Sequence, residues 1–279
     1  MRIAFLLTSY NRKETTLRCI RQLRGMSLSL DIDSDIYLVD DNSTDGTFES
    51  VRVETPYVKT TKTIGDYYWG RGMYVAWYEA LKNGYDAYIW VNDDNKLYDN
   101  ALPELMDCAN ATDYNAIICG SFCSKEGKIT YGGCDKQHKK ITPTGQIEEV
   151  YYMNGNLVLV PQSVVEKIGI IDPTFQHIQG DYDYGLMALE QGIKVYTTRH
   201  FIGESEQNPR GLLRGRDLGK TIKERLYDSF HSPFLDNPVL SMYFNIKHGK
   251  GIFISMLCFL KQVIMNFVPD WVYKKNHNI

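Results

Sequence analysis

Residues 88–95 read YIWVNDDN, and this stretch decides the fold. Tyr88, Ile89, Trp90 and Val91 are all aromatic or β-branched, the side chains that suit a buried strand. Asn92, Asp93 and Asp94 follow at once. A short apolar strand that ends in a carboxylate cluster belongs to an open α/β sheet, where ligands bind outside the carboxyl ends of the strands. Working outward, the same design recurs twice. Residues 3–7 (IAFLL) run into the polar cluster 8–12 (TSYNR), and residues 36–39 (IYLV) run into Asp40-Asp41-Asn42-Ser43. Three polar clusters on one sheet edge point to one site.

Between these strands lie helical patterns. Leu17, Ile20 and Leu23 give the first its apolar face, with Asn11 as N-cap and Glu14 three residues on, as in a capping box. Met73, Ala76, Trp77, Ala80 and Leu81 predict a helix over 72–83 that Gly84 ends. A third short strand is expected near 57–60. Alternating strands and helices predict a mainly parallel sheet. After about residue 115 the pattern changes to shorter strands and hairpins (IICGSF, KITYGG, EEVYYM, NLVLV). A helix over 162–168, a loop over 172–180, a helix over 181–191 and a strand over 193–197 follow. From 217 on the chain reads as helical and basic.

Several residues could carry chemistry. Adjacent carboxylates such as Asp93 and Asp94 repel unless a cation or solvent relieves them, and a hard divalent ion takes oxygen ligands. Asn-Asp-Asp-Asn is also ordinary turn chemistry, but the buried strand before it favours a metal. Gly180-Asp181-Tyr182-Asp183 opens a helix. One aspartate there is a cap; a second leaves a carboxylate spare for acid–base work. Asn154-Gly155 fits either a turn at an acceptor edge or a plain hairpin turn. Trp69-Gly70-Arg71-Gly72, ahead of a helix, suits phosphate or a sugar diphosphate, or is a simple loop. His200, after VYTT, is a candidate metal ligand or acceptor-site group, although a lone histidine is more often structural.

The 279 residues are enough for one large α/β domain with an appendage. A net charge of −3 gives no argument for nucleic-acid binding. The charge is uneven: residues 1–198 hold 19 Lys+Arg and 27 Asp+Glu, whereas 199–279 hold 12 and 7. Among six cysteines, Cys119, Cys123 and Cys134 with His138 are spaced loosely like a zinc set. They fall in or beside an apolar strand-like run, so free buried thiols in a reducing cytosol are expected. The N-terminal apolar run is too short for a signal peptide and reads as a strand. Residues 252–268 are apolar but interrupted by Lys261, so a spanning helix is not expected. Phe253, Leu257, Leu260, Ile264 and Phe267 fall on one helical face. Lys250, Lys261, Lys274, Lys275, Trp271 and Tyr273 suit an anionic membrane surface, with packing on the catalytic domain or on a second subunit as the alternative.

Taken together, FLLTSYNR, LVDDNSTDGT, GDYYWGRGMYVAWYEALKNGYDAYIWVNDDN, YMNGNLVLVPQSVVEKIGIIDPTF and GDYDYGLMALEQGIKV resemble glycosyltransferase family 2, with its GT-A fold. The likeness covers residues 2 to about 205, and is greatest to bacterial rhamnosyl-, galactosyl- and galactofuranosyltransferase-like members that build surface polysaccharide. It implies a GT-A domain over 1–205 and a helical basic extension over 206–279. It implies a UDP- or dTDP-sugar donor, a glycan or polyprenyl-linked acceptor, and Mn2+ or Mg2+. Thr8, Tyr10, Asn11 and Arg12 would border the nucleotide, and Asp41 would bind the pyrimidine with Asp40 supporting its turn. Trp69 and Arg71 would lie on the donor side. Asp93 would lie near the donor ribose or sugar, and Asp94 would bind the metal, with His200 a second ligand in some members. Asp181 would be the catalytic base, with Asn154 and Asp183 toward the acceptor. The sequence departs from the family at Asn92 in the D-x-D position, at Gly180 where Glu or Asp is usual, and at Met187 where Arg is common. A nucleotidyltransferase would instead carry a Gly-rich loop after the first strand, and TSYNRKE has no glycine. A nucleotide- or carbohydrate-binding module without catalysis is the non-enzymatic alternative.

Overall fold

The computed structural model describes residues 1–207 and 218–277, with side chains to Tyr273. It divides into two compact units, Met1–Gln176 with Gly180–Gln207, and His177–Gln179 with Asn208–Ile279. The first unit opens with β1 (Arg2–Ser9), α1 (Lys13–Ser29), β2 (Asp33–Asp40), α2 (Thr47–Glu54), β3 (Lys59–Lys62), α3 (Tyr68–Leu81) and β4 (Ala87–Asn92). It continues through β5 (Lys96–Leu97), α4 (Ala101–Asn110), β6 (Ile117–Cys123), β7 (Ile129–Tyr131), β8 (Gly133–Cys134), β9 (Glu148–Glu149) and β10 (Tyr152–Met153). It ends with β11 (Leu157–Pro161), α5 (Gln162–Ile168), α6 (Gly180–Glu190) and β12 (Val195–Glu204).

The main sheet runs β3-β2-β1-β4-β11-β6-β12-β5. The first four strands are mutually parallel, and β12 is parallel to β6. β11 lies antiparallel between β4 and β6, so the sheet is mixed. Register fixes the ligand edge. Ser9 lies opposite Asp40, and Thr8 is opposite both Val39 and Asn92, so the three polar clusters leave the sheet at one level. Because β11 runs the other way, its start opposite Val91 brings residues 154–156 to that same edge.

Helices cover both faces because the central strands are apolar on both sides. One face buries Phe5, Leu7, Ile89 and Val91 against Leu17, Ile20 and Leu105. The other buries Leu6, Tyr88 and Trp90 against Met73, Trp77 and Tyr184. Trp77, Trp90 and Tyr184 meet pairwise with ring centroids 5.3–5.5 Å apart. This aromatic core fixes α6 against α3 and β4 directly below the ligand edge.

Several local expectations shift. α3 begins at Tyr68, so Trp69–Gly72 form its first turn and do not precede it. β3 lies at Lys59–Lys62, and β12 runs on to Glu204, which puts His200 inside a strand. Asn11 does not cap α1. It sits at φ 50°, and its side-chain carbonyl accepts from Thr44 N–H at 2.8 Å, tying two turns together. All six cysteines are free, and Cys119, Cys123 and Cys134 are buried. His138 is exposed and lies flat on Tyr152.

In the second unit, α7 (Ile222–His231), α8 (Pro238–Lys247), α9 (Ile252–Met265) and α10 (Asp270–His277) follow one another. Thr221 and Glu224 form a full capping box on α7, and Asn237 caps α8 with Pro238 in its first turn. Arg225 donates to Asp270 at 2.9 Å, and Gln262 to Ser241 at 3.2 Å. Phe253, Leu257, Leu260 and Ile264 of α9 and Phe267 just after it are all exposed, as is Trp271, whereas Tyr273 is buried and so unavailable to a membrane interface. No helix among the described residues is long and apolar enough to cross a membrane. Residues 208–217 and the side chains of Lys274 and Lys275 lie outside the described residues.

Candidate active site

The site grows from the ends of β1, β2 and β4. After β1 the chain turns through exposed Tyr10 and left-handed Asn11 into Arg12. Asn11 N–H donates to the Ser43 hydroxyl at 2.9 Å, so the β1 and β2 turns are locked to each other. Thr8 lies under α3: a Cβ on Gly72 would meet its Cγ2 at 2.7 Å, which is why only glycine lets the helix approach.

Asp40 is fully buried; one oxygen accepts from Ser43 N–H at 2.8 Å, and the other has no hydrogen-bond partner among the described residues. Asp41 is buried and accepts from the Thr63 hydroxyl at 2.6 Å and from the N–H groups of Tyr67 and Tyr68 at 3.1 and 2.9 Å. Its first task is to hold the 63–68 loop against the edge. Tyr67 N–H is shared between both oxygens, so each carboxylate oxygen accepts twice from this loop.

Asp93 and Asp94 differ sharply. Asp93 is buried; it accepts from the Thr16 hydroxyl at 2.7 Å, which in turn pairs with Ser9. Asp94 is half-exposed. Arg12 bridges the two, 3.0 Å from an oxygen of each. Burial pushes the Asp93 carboxyl up, against the pull of Thr16 and Arg12. Burial works against the Arg12 charge, yet Asp93 and Asp94 together hold its guanidinium above its ordinary value. The pair of carboxylates therefore already seats a cation.

Asn92, the departure in the D-x-D position, uses its side-chain oxygen to accept from Trp69 Nε1 at 2.8 Å. Trp69 also walls Gly155, where an added Cβ would stand 2.5 Å from the indole and 3.4 Å from Cβ of Asp181. Gly155 N–H donates to Asp181 at 3.0 Å, and Tyr182 N–H donates to the other oxygen at 2.9 Å. Asn156 closes the circuit, its carbonyl accepting from Asn92 N–H at 2.9 Å and Asn95 Nδ2 at 3.0 Å. The Asn92, Trp69, Gly155 and Asp181 groups thus form one connected wall.

The other expected residues make contacts of their own. Arg71 donates to the Pro173 carbonyl at 3.1 Å, and Gly70 N–H to the Gln176 carbonyl at 2.6 Å, so this turn pins the 172–176 loop. Asn154 is spent on the backbone of Gly132. Asp183 is fully buried. His200 sits with Arg199 against Glu104 of α4, its Nδ1 3.4 Å from the carboxylate. Despite burial, which pushes it up, bonds from Arg199 and His200 draw Glu104 down to about 2. No group of three or more His, Cys, Asp or Glu side chains suited to a metal occurs among the described residues. Sequence reading missed Thr16, Asn156 and Glu104, since a threonine or glutamate inside a helix carries no local signal of the strand end it will meet.

A mixed α/β sheet with nucleotide-sized turns and carboxylates along one edge is the GT-A arrangement of nucleotide-sugar transferases. The family model Glycosyltransferase like family 2 matches residues 1–226, and the chain belongs to that family. The fold is similar to that of S. aureus TarS, with a TM-score of 0.57 at 11% identity over 88% of this chain and 43% of that one. TarS 1–349 in complex with UDP gives 0.56 at 11% identity, covering 88% and 70%. The mannosyltransferase PcManGT from Pyrobaculum calidifontis, in complex with GDP-Man and Mn2+, gives 0.55 at 14% identity, covering 95% and 84%. The chain thus spans less than half of full-length TarS. No curated protein matches it in sequence.

Proposed function

We propose that the chain is an inverting, metal-dependent glycosyltransferase that moves a sugar from a UDP- or dTDP-sugar to a glycan or polyprenyl-linked acceptor in bacterial surface polysaccharide synthesis. The observation that carries this is the meeting of Asp41, Asp93-Asp94 and Asp181 at one sheet edge in a family 2 chain. In this reading residues 1–205 are the catalytic domain. Thr8, Tyr10, Asn11 and Arg12 border the nucleotide, and Asp41 takes the base N–H. Asp40 backs that turn, while Trp69 and Arg71 shape the donor side. Asp181 accepts the proton of the acceptor hydroxyl as its oxygen attacks the anomeric carbon. The C–O bond to the diphosphate breaks in the same displacement.

The residues fit a hard divalent ion. Asp94 offers an exposed carboxylate beside a cradle that already draws a guanidinium, and Mg2+ is bound through one or two carboxylates, substrate phosphates and water. PcManGT, bound to GDP-Man and Mn2+, is consistent with such an ion here. When bound, the ion neutralises the leaving diphosphate. His200, held against Glu104, is the second ligand the family likeness implies.

The extension over 206–279 is proposed to lie on the inner face of the cytoplasmic membrane. The exposed apolar face of α9 supports this, with a homodimer as the competing cover. Co-sedimentation with anionic liposomes at low salt tests it; a full-length protein that stays in the supernatant rules it out. The transfer reading is tested by a thermal-protection screen of UDP-, dTDP- and GDP-sugars with and without manganese. Metal-strengthened protection by a UDP- or dTDP-sugar is expected; no protection by any donor overturns it.

A further inference from the structure

Beside Asp181 lies a group of rings that the core does not explain. β10 pairs with β8, setting Tyr152 opposite Cys134. The turn after β8 folds back through Asp135, whose carboxylate accepts from Gln137 and Lys139 N–H at 2.9 Å each. His138 sits in this turn at φ 60°, a conformation uncommon for a residue with a Cβ. The result is that its ring lies flat on Tyr152, with centroids 4.2 Å apart and planes 9° apart. α6 delivers Tyr182, 5.0 Å from Tyr152 at 32° and 6.1 Å from His138 at 24°. The approach of α6 is close because Gly185 has no Cβ; one added there would stand 3.3 Å from Met153. Tyr151 meets Tyr152 edge-on at 4.8 Å, and Lys136 lies over Tyr151 at 5.2 Å.

None of these rings belongs to either apolar core cluster. They are partly open to water, and His138 is exposed. Tyr182 directly follows Asp181, and Tyr152 is three residues before Gly155, the residue that orients Asp181. A near-parallel set of rings with polar tips thus stands next to the carboxylate that would take the acceptor proton. Aromatic faces carry negative charge, and the C–H groups on one side of a pyranose ring carry slight positive charge, so the two stack while sugar hydroxyls reach the polar tips. Cyclic saccharides combine an apolar face with a rim of hydroxyls, which suits rings with polar tips.

We propose that His138, Tyr152 and Tyr182 form the acceptor subsite, and that the acceptor presents a pyranose ring to them. This rests on the transfer reading above and names its acceptor class. The probes are methyl α-L-rhamnopyranoside, methyl β-D-galactopyranoside and methyl α-D-glucopyranoside, followed by saturation-transfer NMR on the full chain with UDP present. Saturation is expected at the ring C–H protons of at least one glycoside. Its Kd should rise about two- to tenfold in His138→Ala and in Tyr152→Ala, and stay within twofold in Tyr152→Phe. His138 is exposed, so its variant reads binding even if Tyr152→Ala fails to fold. No saturation from any glycoside, or equal affinity in the His138→Ala protein, overturns the subsite. Release of nucleoside diphosphate from donor is read separately: donor turnover with no glycoside signal sinks the subsite alone. Glycoside binding with no donor binding or turnover sinks the transfer reading alone.

Discussion

Asp181 and Asp94 are the same side chain on the same sheet edge, and the protein holds them differently. Asp181 takes its two hydrogen bonds from backbone N–H groups of Gly155 and Tyr182. Asp94 is held by a side-chain cation, the half-exposed Arg12 guanidinium, which it shares with buried Asp93. Backbone donors cannot leave without unfolding the turn that carries them. A guanidinium on a long side chain can, and another cation can take its place. The first arrangement suits a group that must keep one geometry through each turnover. The second suits a group that must exchange partners as donor and metal arrive and depart.

The hardest blow to this contrast falls on Asp181. Asp181→Asn keeps the shape and can still accept from Gly155, but it cannot take a proton. Turnover should drop by roughly 10²–10⁴-fold, the usual worth of a positioned base. Donor affinity, measured by thermal protection, should move by less than twofold. Near-normal transfer by this variant would remove Asp181 from the chemistry. Asp183 would be a poor substitute, because it is fully buried.

The exchangeable side is probed by Asp94→Ala and Arg12→Met together. Losing Asp94 should weaken manganese-dependent UDP binding by at least about tenfold, or 1.4 kcal/mol. Losing Arg12 leaves two adjacent carboxylates without their cation, so manganese binding to the UDP-free protein should tighten, as titration with the ion alone would read. If both variants weaken manganese equally, Arg12 is no placeholder and the two-mode contrast fails.

How far this was legible follows the same division. The strand ends and their acidic clusters are visible in sequence because a buried strand and a polar turn differ in composition. Hence the sheet edge, Asp41, Asp93-Asp94 and Asp181 could be singled out as candidates from the sequence. What each carboxylate holds was not visible, since Thr16, Gly155 and Asn156 reach their partners only through the fold. Two near-identical cap signals make the point. Thr221-x-x-Glu224 forms a capping box. Asn11-x-x-Glu14 does not, because Asn11 spends its side chain on Thr44 of the neighbouring turn. Local chemistry predicts local structure until a second segment competes for the same atoms. Likewise, a strand expected to stop at 197 runs to Glu204, since pairing with β6 and β5 carries it past its apolar stretch.

Glu104 supplies the smallest and most discriminating test, because it is cation-held like Asp94 yet buried like Asp93. Arg199 donates to it through its backbone N–H at 2.8 Å and its guanidinium at 2.9 Å, with His200 at 3.4 Å. These contacts outweigh the cost of burial and draw it down to about 2. A carboxyl whose value is lower in the folded chain stabilises the fold above its unfolded value, and that stabilisation fades as pH falls through the folded one. Glu104→Gln should therefore lose roughly 1.5–3 kcal/mol at pH 7, the scale of a hydrogen bond to a charged group. The gap between variant and parent should close between about pH 4.5 and 2. Chemical denaturation across that range reads both. The same variant tests His200: if this histidine serves the metal, loosening Glu104 must shift manganese affinity by about tenfold or more, the usual effect of a lost outer partner. An unchanged manganese titration beside a destabilised fold makes Glu104 and His200 a strand-to-helix clasp. Ion binding at the edge then rests on Asp94, the carboxylate whose cation can be exchanged.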